Sequence, residues 1–246
     1  MNDTIRTLKA HRSIRRYQDA PVSDAQLAEI IACAQAAPTS INAQGLSVVI
    51  VRDLARRARI AALAGGQRWV AEAPVFLAFV VDFHKTSLAG KKAGRPQHVH
   101  EGLEGFLTGV LDVGIALGNA MAAAEALGLG CVPIGGIRAH PREMVEVLGL
   151  PRLTYPVVGL SVGHPADPSR QKPRMDVRAF RHDEIYDAAR LPALVDDYDA
   201  VMARYLKEIG REGEGSWSSL TARFYADVPF ADVLAVAKEQ GFGFDR

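Results

Sequence analysis

Cysteine is scarce in this chain, and net charge of either sign is almost absent. The 246 residues include 2 cysteines, Cys33 and Cys131, which lack metal-site spacing and are too few for a disulfide framework. We therefore expect no bound metal and a reducing compartment. The 29 lysines and arginines nearly balance the 28 aspartates and glutamates, so the formal net charge is +1. A chain this close to neutral has no global field for nucleic acid or an anionic membrane, and any anion site must be local.

Long uninterrupted apolar runs and an N-terminal leader are also missing. The most apolar stretch, 106–127, is interrupted by Asp112, Asn119 and Glu125, which predicts a buried helix rather than a membrane span. The N-terminus has an early acidic residue and lacks the apolar core of a secretory signal. We expect a cytoplasmic protein that binds neither membrane nor nucleic acid.

Apolar periodicity and capping residues predict helices that alternate with short strands. Ser23 and Gln26 form a capping-box pattern before a helix that Pro38 ends, and Asp53 is placed to cap the next helix. The polar segment 85–100 is predicted to be a loop. Short strands combined with abundant helix predict an α+β fold. The predicted strands cover 46–51, 74–81, 131–134 and 155–162.

The long helix predicted over about 101–127 contains glycines on neighbouring turns. Gly105 and Gly109 are four residues apart, and so are Gly114 and Gly118. Each glycine inside a helix costs roughly 1 kcal/mol relative to alanine. We therefore expect another backbone to approach this helix closely, either from the same chain or from a second subunit.

Four short segments carry residue types suited to ligand binding. The segment HRSIRR, 11–16, offers guanidinium groups that suit a phosphate, and PTSINAQ, 38–44, is a dense polar loop. Residues 132–136 end a strand in a glycine pair that lets backbone N–H groups approach a flat ligand. Residues 172–174, KPR, hold two cations on either side of a stiff proline. Taken alone, each segment is more typical of a solvated surface turn, and the chain has neither a GxGxxG fingerprint nor a Walker loop.

Together, the order and spacing of the motifs resemble those of the nitroreductase superfamily. The likeness is greatest to its oxygen-insensitive NADPH nitroreductase and flavin reductase P group, and it rests on HRSIRRY, PTSINAQ, GGQ, GLGCVPIGGIR, LGLP, GHPAD and KPR. The resemblance implies one nitroreductase domain over 1–246, with a flavin-binding core at 1–186 and a helical extension at 187–246 that wraps a partner subunit. The implied FMN-binding fold has a central mixed or antiparallel sheet flanked by helices, and it assembles as an intertwined homodimer.

The resemblance also implies FMN as the cofactor and NADPH or NADH as the co-substrate. Arg12, Lys172 and Arg174 would hold the FMN phosphate. Arg15 would stabilise the reduced flavin, and Glu104 would lie at the pocket mouth, without any obligate catalytic side chain. The residues implied to bind the cofactor are His11, Arg12, Ser13, Arg15, Thr39, Ile41, Asn42, Gln67, Pro133, Ile134, Gly135, Gly136, Lys172 and Arg174.

The implied reaction is ping-pong hydride transfer through flavin N5 to a small-molecule acceptor, which is a nitroaromatic, a quinone or free flavin. Two alternatives stay open at the level of sequence. The same fold could reduce another acceptor, such as an ene, azo or chromate compound or a biosynthetic intermediate. The chain could also be a non-catalytic FMN-binding dimer.

Two departures from the family pattern affect these expectations. Pro133 stands where close relatives carry tyrosine, which removes a hydroxyl and a backbone donor. The loop before Trp217 contains Glu208, Glu212 and Glu214, where relatives that prefer NADPH carry arginines. Because carboxylates repel a 2′-phosphate, we expect a relaxed nicotinamide preference or even NADH use. The segment 85–100 contains Lys91, Lys92 and Arg95 and is an alternative source of a phosphate grip.

Overall fold

Helices surround a single antiparallel sheet in this computed structural model, which describes residues 2–167 and 169–244. The strands are β1 (Leu46–Val51), β2 (Val75–Asp82), β3 (Gly130–Ile134) and β4 (Thr154–Gly163). The helices are α1 (Asp3–Lys9), α2 (Asp24–Gln35), α3 (Leu54–Leu63), α4 (Arg68–Glu72), α5 (Phe83–Lys92), α6 (Leu103–Ala126), α7 (Pro141–Leu148), α8 (Leu191–Glu208), α9 (Trp217–Tyr225) and α10 (Val233–Glu239). Short 3-10 helices lie at Ser40–Asn42, Val99–Glu101, Gly135–Arg138, Val177–Ala179 and Glu212–Glu214.

The sheet has the strand order β1-β2-β4-β3, and each pairing between neighbours is antiparallel. This confirms the α+β class and the antiparallel form of the expected sheet. The central strand β2 is buried on both faces, and its side chains alternate between two apolar clusters. Leu77 and Phe79 pack with α2 and α6, whereas Phe76 and Ala78 pack with α3 and α7.

Predicted capping interactions are present and explain why the helices begin where they do. The Ser23 hydroxyl accepts from Gln26 N, and the Gln26 side chain accepts from Ser23 N, which completes the capping box of α2. The Asp53 carboxylate accepts from Arg56 N at 2.7 Å. Pro141 opens α7, and Gly149 ends it in a left-handed conformation at φ 64°.

The prediction that 85–100 is a loop is wrong. The segment forms most of α5 and then the 3-10 turn at Val99–Glu101. Asp82, the last residue of β2, caps α5 by accepting from Lys85 N at 2.9 Å. The Gln97 side chain then bonds to Thr86 and to the carbonyl of Phe83, so the return segment folds against the helix. Asp82 therefore ends β2 and also caps α5. The polar composition of 85–100 predicts a loop, and it gives no sign of this helix.

The glycines of α6 fall into two groups. A Cβ at Gly105 would lie 1.9 Å from the carbonyl oxygen of Val99, and one at Gly109 would lie 2.8 Å from Val81 Cγ1. The expected close backbone approach is therefore confirmed at Gly105, from the same chain. Gly114 and Gly118 have no such neighbour within 4 Å among the described residues. They lie on an exposed face of α6.

The exposed face of α6 is an apolar stripe, which we define as Leu103, Leu107, Leu111, Gly114 and Gly118. Its leucines are 47%, 52% and 63% exposed, respectively. The prediction of a buried helix therefore holds for the face that packs on α2 and the sheet, but not for this stripe. By length and composition, α6 is also the one helix among the described residues that could cross a membrane, a test that a core helix passes too.

The chain forms two compact units. One contains Met1–Ser169 and Phe230–Arg246, and the other contains Arg170–Pro229. The sheet, α1–α7 and α10 belong to the first unit, and α8 and α9 belong to the second. The predicted division into a core at 1–186 and an extension at 187–246 stays a prediction.

Candidate flavin site

Residues 11–15 run as an extended segment beside the edge strand β3. Ile14 N donates to the Cys131 carbonyl at 3.0 Å, and the Ile14 side chain is buried. Gly130 makes this contact possible, because a Cβ there would lie 2.5 Å from Ile14 Cγ1. Anchoring by Ile14 leaves Arg12 and Arg15 exposed, and Ser13 is half-buried.

Arg12 lines a cleft of about 670 Å³ in the first unit. The cleft lies among α1, the end of α6 and residues 165–167, and Ile14 lines it as well. Arg12 and Ile14 thus face the same cleft, as the alternation of an extended chain predicts. Next to them, His11 Nδ1 lies 2.5 Å from Glu125 Oε1, and this pair joins the segment to α6.

Arg15 lies over the ring of Trp69. Its Cζ atom is 5.5 Å from the ring centroid, within the range of a cation–π interaction. Trp69 belongs to α4, whose N-cap is Gln67, and Gln67 Nε2 donates to the Ala64 carbonyl at 2.8 Å. The helix α4 therefore brings Trp69 to the segment 11–15, and Gln67 stands at the start of the same helix.

The end of β3 approaches the same turn. A Cβ at Gly136 would lie 2.4 Å from the Ala64 carbonyl oxygen and 2.6 Å from Gln67 Nε2, so only glycine fits there. Beside Gly135 the space is open, because the nearest atom to a Cβ would be Arg138 Nη2 at 3.6 Å. Pro133 and Ile134 pair with Leu160 and Gly159 of β4, and Ile134 is fully buried. The edge position of β3 explains why a proline is tolerated.

The predicted residues Thr39, Ile41 and Asn42 lie elsewhere in the fold. Their loop precedes β1, at the edge of the sheet opposite β3, along which residues 11–15 run. Ile41 has φ 47° and is 94% exposed, and Asn42 has φ 56°. A β-branched residue in the left-handed region is strained, and such strain is frequent at functional sites.

The strained loop is held by a buried carboxylate. Ser40 N donates to both carboxylate oxygens of Asp112 at 3.2 Å, and Thr39 Oγ1 accepts from Gln44 N at 3.1 Å. Asp112 is 6% exposed and belongs to α6. In the sequence, Asp112 is noticed only because it interrupts the apolar stretch 106–127. An acid at a helix position that should face the core was the signal that could have revealed its role.

The remaining predicted residues occupy separate places. Glu104 lies exposed in the first turn of α6 and accepts from Thr108 Oγ1 at 3.4 Å. Lys172 and Arg174 belong to the second unit, where Tyr198 Oη donates to the Pro173 carbonyl at 2.9 Å. Lys172 lines a shallow groove of about 310 Å³ there, together with Arg204, Tyr205 and Glu208.

Comparison with known proteins decides the family. The profile of the nitroreductase family matches residues 8–164, and that of the nitroreductase family C-terminal domain matches 172–245. The chain belongs to the nitroreductase family. This nitroreductase is 42% identical to the FMN reductase [NAD(P)H] of Bacillus subtilis over 100% of both chains. It is 39% identical to the oxygen-insensitive NADPH nitroreductase of Salmonella typhimurium, over 98% of this chain and 99% of that protein.

Solved structures agree with the sequence relatives. The structure of B. megaterium NfrA2 matches the nitroreductase with a TM-score of 0.98 and 44% sequence identity, and the match covers 100% of both chains. The family and the fold inferred from the motifs are therefore confirmed. The likeness covers the predicted extension at 187–246 as well as the motif-bearing part of the chain.

The ion pairs of the nitroreductase show which of its predicted cationic ligands are free of a carboxylate partner. Arg16 pairs with Asp167 at 3.2 Å, and many other arginines also have carboxylate partners. Within residues 2–167 and 169–244, the three predicted phosphate ligands, Arg12, Lys172 and Arg174, form no ion pair with a carboxylate. Arg15 forms none either. Unpaired cations suit a dianionic phosphate, and the open space at Gly135 suits a flat ring, so the residues present fit FMN.

Among residues 2–167 and 169–244, no three or more histidine, cysteine, aspartate or glutamate side chains form a cluster that could hold a metal ion. Cys131 is fully buried, and its burial holds the pKa of the thiol well above its ordinary value. The thiol therefore stays protonated and unreactive at neutral pH. It acts as a small core residue beside the segment 11–15.

Proposed function

We propose that this nitroreductase is an FMN-dependent NAD(P)H oxidoreductase that reduces free flavins, nitroaromatics or quinones. The observation that carries the proposal is that Arg12 and Arg15, which form no ion pair among the described residues, lie in a segment bonded to β3, the strand that leads into the open backbone at Gly135. The relatives named as FMN reductase and NADPH nitroreductase support it. Bound FMN would supply the hydride-transfer chemistry that links reduced nicotinamide to the acceptor.

The protein's own residues would bind the cofactor and stabilise its charge, and none of them would form or break a covalent bond. Arg12 would neutralise phosphate charge, and Lys172 and Arg174 stay the further phosphate ligands that the family resemblance implies. Arg15 stabilises the negative charge that the reduced ring carries, with little reorganisation. The remaining ligands are Ser13, Gln67 and the backbone of 133–136, whereas His11 acts through its pairing with Glu125.

A second copy of the chain completes the site in this proposal. Thr39, Ile41 and Asn42 lie at the opposite sheet edge from 11–15, so they would act on the cofactor of the partner. The apolar stripe of α6 supplies the surface for pairing, because its exposed leucines and glycines favour close helix contact. The extension 187–246 would wrap the partner, and the enzyme would be a cytoplasmic homodimer.

The binding part of the proposal is tested with two neighbouring arginines. Arg12→Gln is expected to weaken FMN binding by about 10- to 100-fold, because a hydrogen bond to a charged group contributes about 1.5–3 kcal/mol. Arg16→Gln is the matched control, since Arg16 is already paired with Asp167. The measurement is quenching of flavin fluorescence during titration of FMN-free protein. Equal losses in both variants, or a wild-type protein that rejects FMN, would contradict the proposal.

The catalytic part is tested by stopped-flow reduction with NADH and NADPH, followed by reoxidation with nitro, quinone and flavin acceptors. Ping-pong kinetics are expected with at least one acceptor class. A yellow protein that oxidises neither nicotinamide would instead support the non-catalytic alternative. Preference among the acceptors separates the other enzyme alternatives.

Nicotinamide preference is a prediction of its own. In the acidic loop of the second unit, Arg211 pairs with Glu214, so its charge is already partly neutralised by a carboxylate and it is less available to meet a 2′-phosphate. We expect kcat/KM for NADH to equal or exceed that for NADPH. Replacing Glu212 with lysine should shift the ratio toward NADPH, and Asp187→Lys, outside the loop, should not. A strong NADPH preference of the wild-type enzyme would overturn the prediction.

A further inference from the structure

The Arg15 guanidinium lies over an aromatic face. It lies 5.5 Å from the Trp69 ring centroid, and among residues 2–167 and 169–244 it has no carboxylate partner. An exposed arginine with no such contact would sample many rotamers. The Trp69 face restricts that freedom and leaves the donors of the guanidinium available, because a stacked arginine still presents its planar N–H groups.

Trp69 is itself held firmly in place. It lies in α4 next to Val70, which is fully buried, and it packs against the apolar cluster on the α3 side of the sheet. Its Nε1 atom is buried and has no hydrogen-bond partner among the described residues. Core packing alone gives no reason for an indole here, because a leucine or phenylalanine would fill similar space without an unsatisfied donor.

We infer that Trp69 is a positioning residue that holds the Arg15 guanidinium ready for the bound flavin. The inference rests on the proposed function, in which Arg15 stabilises the reduced ring. Pre-ordering of Arg15 lowers the entropy lost on binding and fixes the positive charge where reduction needs it. Trp69 therefore contributes to both the FMN affinity and the midpoint potential, and it acts through Arg15.

A double-mutant cycle tests this role. Trp69→Leu is expected to weaken FMN binding by about two- to fivefold, the range of an exposed cation–π contact, and to lower the FMN midpoint potential. Trp69→Phe keeps an aromatic face and should lose less. In an Arg15→Gln background, Trp69→Leu should cause no further loss of affinity or potential. Additive losses in the double variant would overturn the inference, because they would show that Trp69 acts independently of Arg15.

A second measurement does not depend on FMN. The chain has 2 tryptophans, so Trp217→Phe leaves Trp69 as the sole indole. In this background, without FMN, Arg15→Gln should change the emission of Trp69 and its quenching by iodide, and Arg16→Gln should not. Unchanged emission would overturn the contact. Changed emission in a protein that rejects FMN would instead overturn the proposed function and, with it, the role of the contact in flavin binding.

Discussion

At the residue scale, Tyr155 shows how one buried polar atom shapes the stability of the core. The residue is 1% exposed, and its hydroxyl has no hydrogen-bond partner among the described residues. Burial raises its pKa to about 12, from an ordinary value of 10.0. The unfolded chain therefore releases this proton first as pH rises. The contribution of Tyr155 to stability is constant below pH 10 and falls between about pH 10 and 12.

Tyr155→Phe is expected to raise the free energy of unfolding by about 1 kcal/mol at neutral pH, because it removes an unsatisfied buried hydroxyl. The ring keeps its edge contact with Phe106, whose centroid lies 5.8 Å away. The variant should also lose less stability than wild type between pH 10 and 12. Urea unfolding across this range measures both effects.

Tyr225→Phe is the control, since Tyr225 is 73% exposed and should change neither quantity. A Tyr155→Phe variant less stable than wild type would contradict the interpretation. It would indicate that the hydroxyl has a partner, such as an ordered water, that stabilises the fold.

At the scale of elements, Asp112 connects the helix α6 to the strained loop before β1. The loop has left-handed φ values at Ile41, Asn42 and Gln44, and this conformation is least favourable for the β-branched Ile41. Local interactions alone do not hold such a conformation. The bond from Ser40 N to the Asp112 carboxylate therefore contributes to holding the loop.

Asp112→Ala is expected to increase amide hydrogen exchange in peptides that cover 39–44, with little change in the sheet. The physical reason is the loss of the acceptor that holds Ser40 N. Asn119→Ala is the matched control on the same helix, because Asn119 bonds to the Cys33 carbonyl of α2 instead. Equal exchange of the loop in both variants would show that Asp112 does not hold it.

At the scale of the whole molecule, the apolar stripe of α6 tests the proposed homodimer. Leu107→Glu places a charge in the centre of the stripe and should convert the dimer to monomers at micromolar concentration. Light scattering coupled to size exclusion measures the mass directly. The variant should also bind FMN more weakly, because each site would lose the partner's 39–42 loop.

Leu88→Glu serves as the control for Leu107→Glu. Leu88 lies on α5, outside the stripe, and is exposed to a similar extent at 51%. A dimer that persists in the Leu107 variant would move the interface away from α6. A wild-type monomer that binds FMN would show that the site does not need a second copy.

Much of the fold could be predicted because its signals are local. The capping box at Ser23, the cap at Asp53 and the ending of α7 at Gly149 involve residues close together in sequence. The strand β1 covers the predicted residues 46–51, because a β-branched run specifies its own extended conformation. The helix α5 was missed since its order depends on Gln97, which folds back over more than ten residues.

Some features of the candidate site could likewise be predicted from the sequence, and others depend on distant contacts. The family resemblance predicts Arg12, Arg15, Gln67 and Gly136 as members of one flavin site, and this stays a prediction. The fold brings Gly136 against Gln67 at the turn before α4, and it places Arg15 over Trp69 of α4. The core-facing position of Asp112 signals a buried polar role, but the partners of Asp112 and Trp69 could not be predicted from the chain. Each depends on a partner far away in sequence, Ser40 for one and Arg15 for the other.

By itself, the sequence determined the family, the α+β class, the helix caps and the chemical types available to bind a flavin. These properties depend on residue identity and short-range spacing, which a linear chain already contains. Only the tertiary structure decided which arginines keep an unpaired charge, that Gly105 meets a backbone while Gly114 does not, and that Thr39 lies at the opposite sheet edge from Arg12. Ion pairing, close packing and separation in space depend on long-range contacts, and these exist only once the sheet has formed.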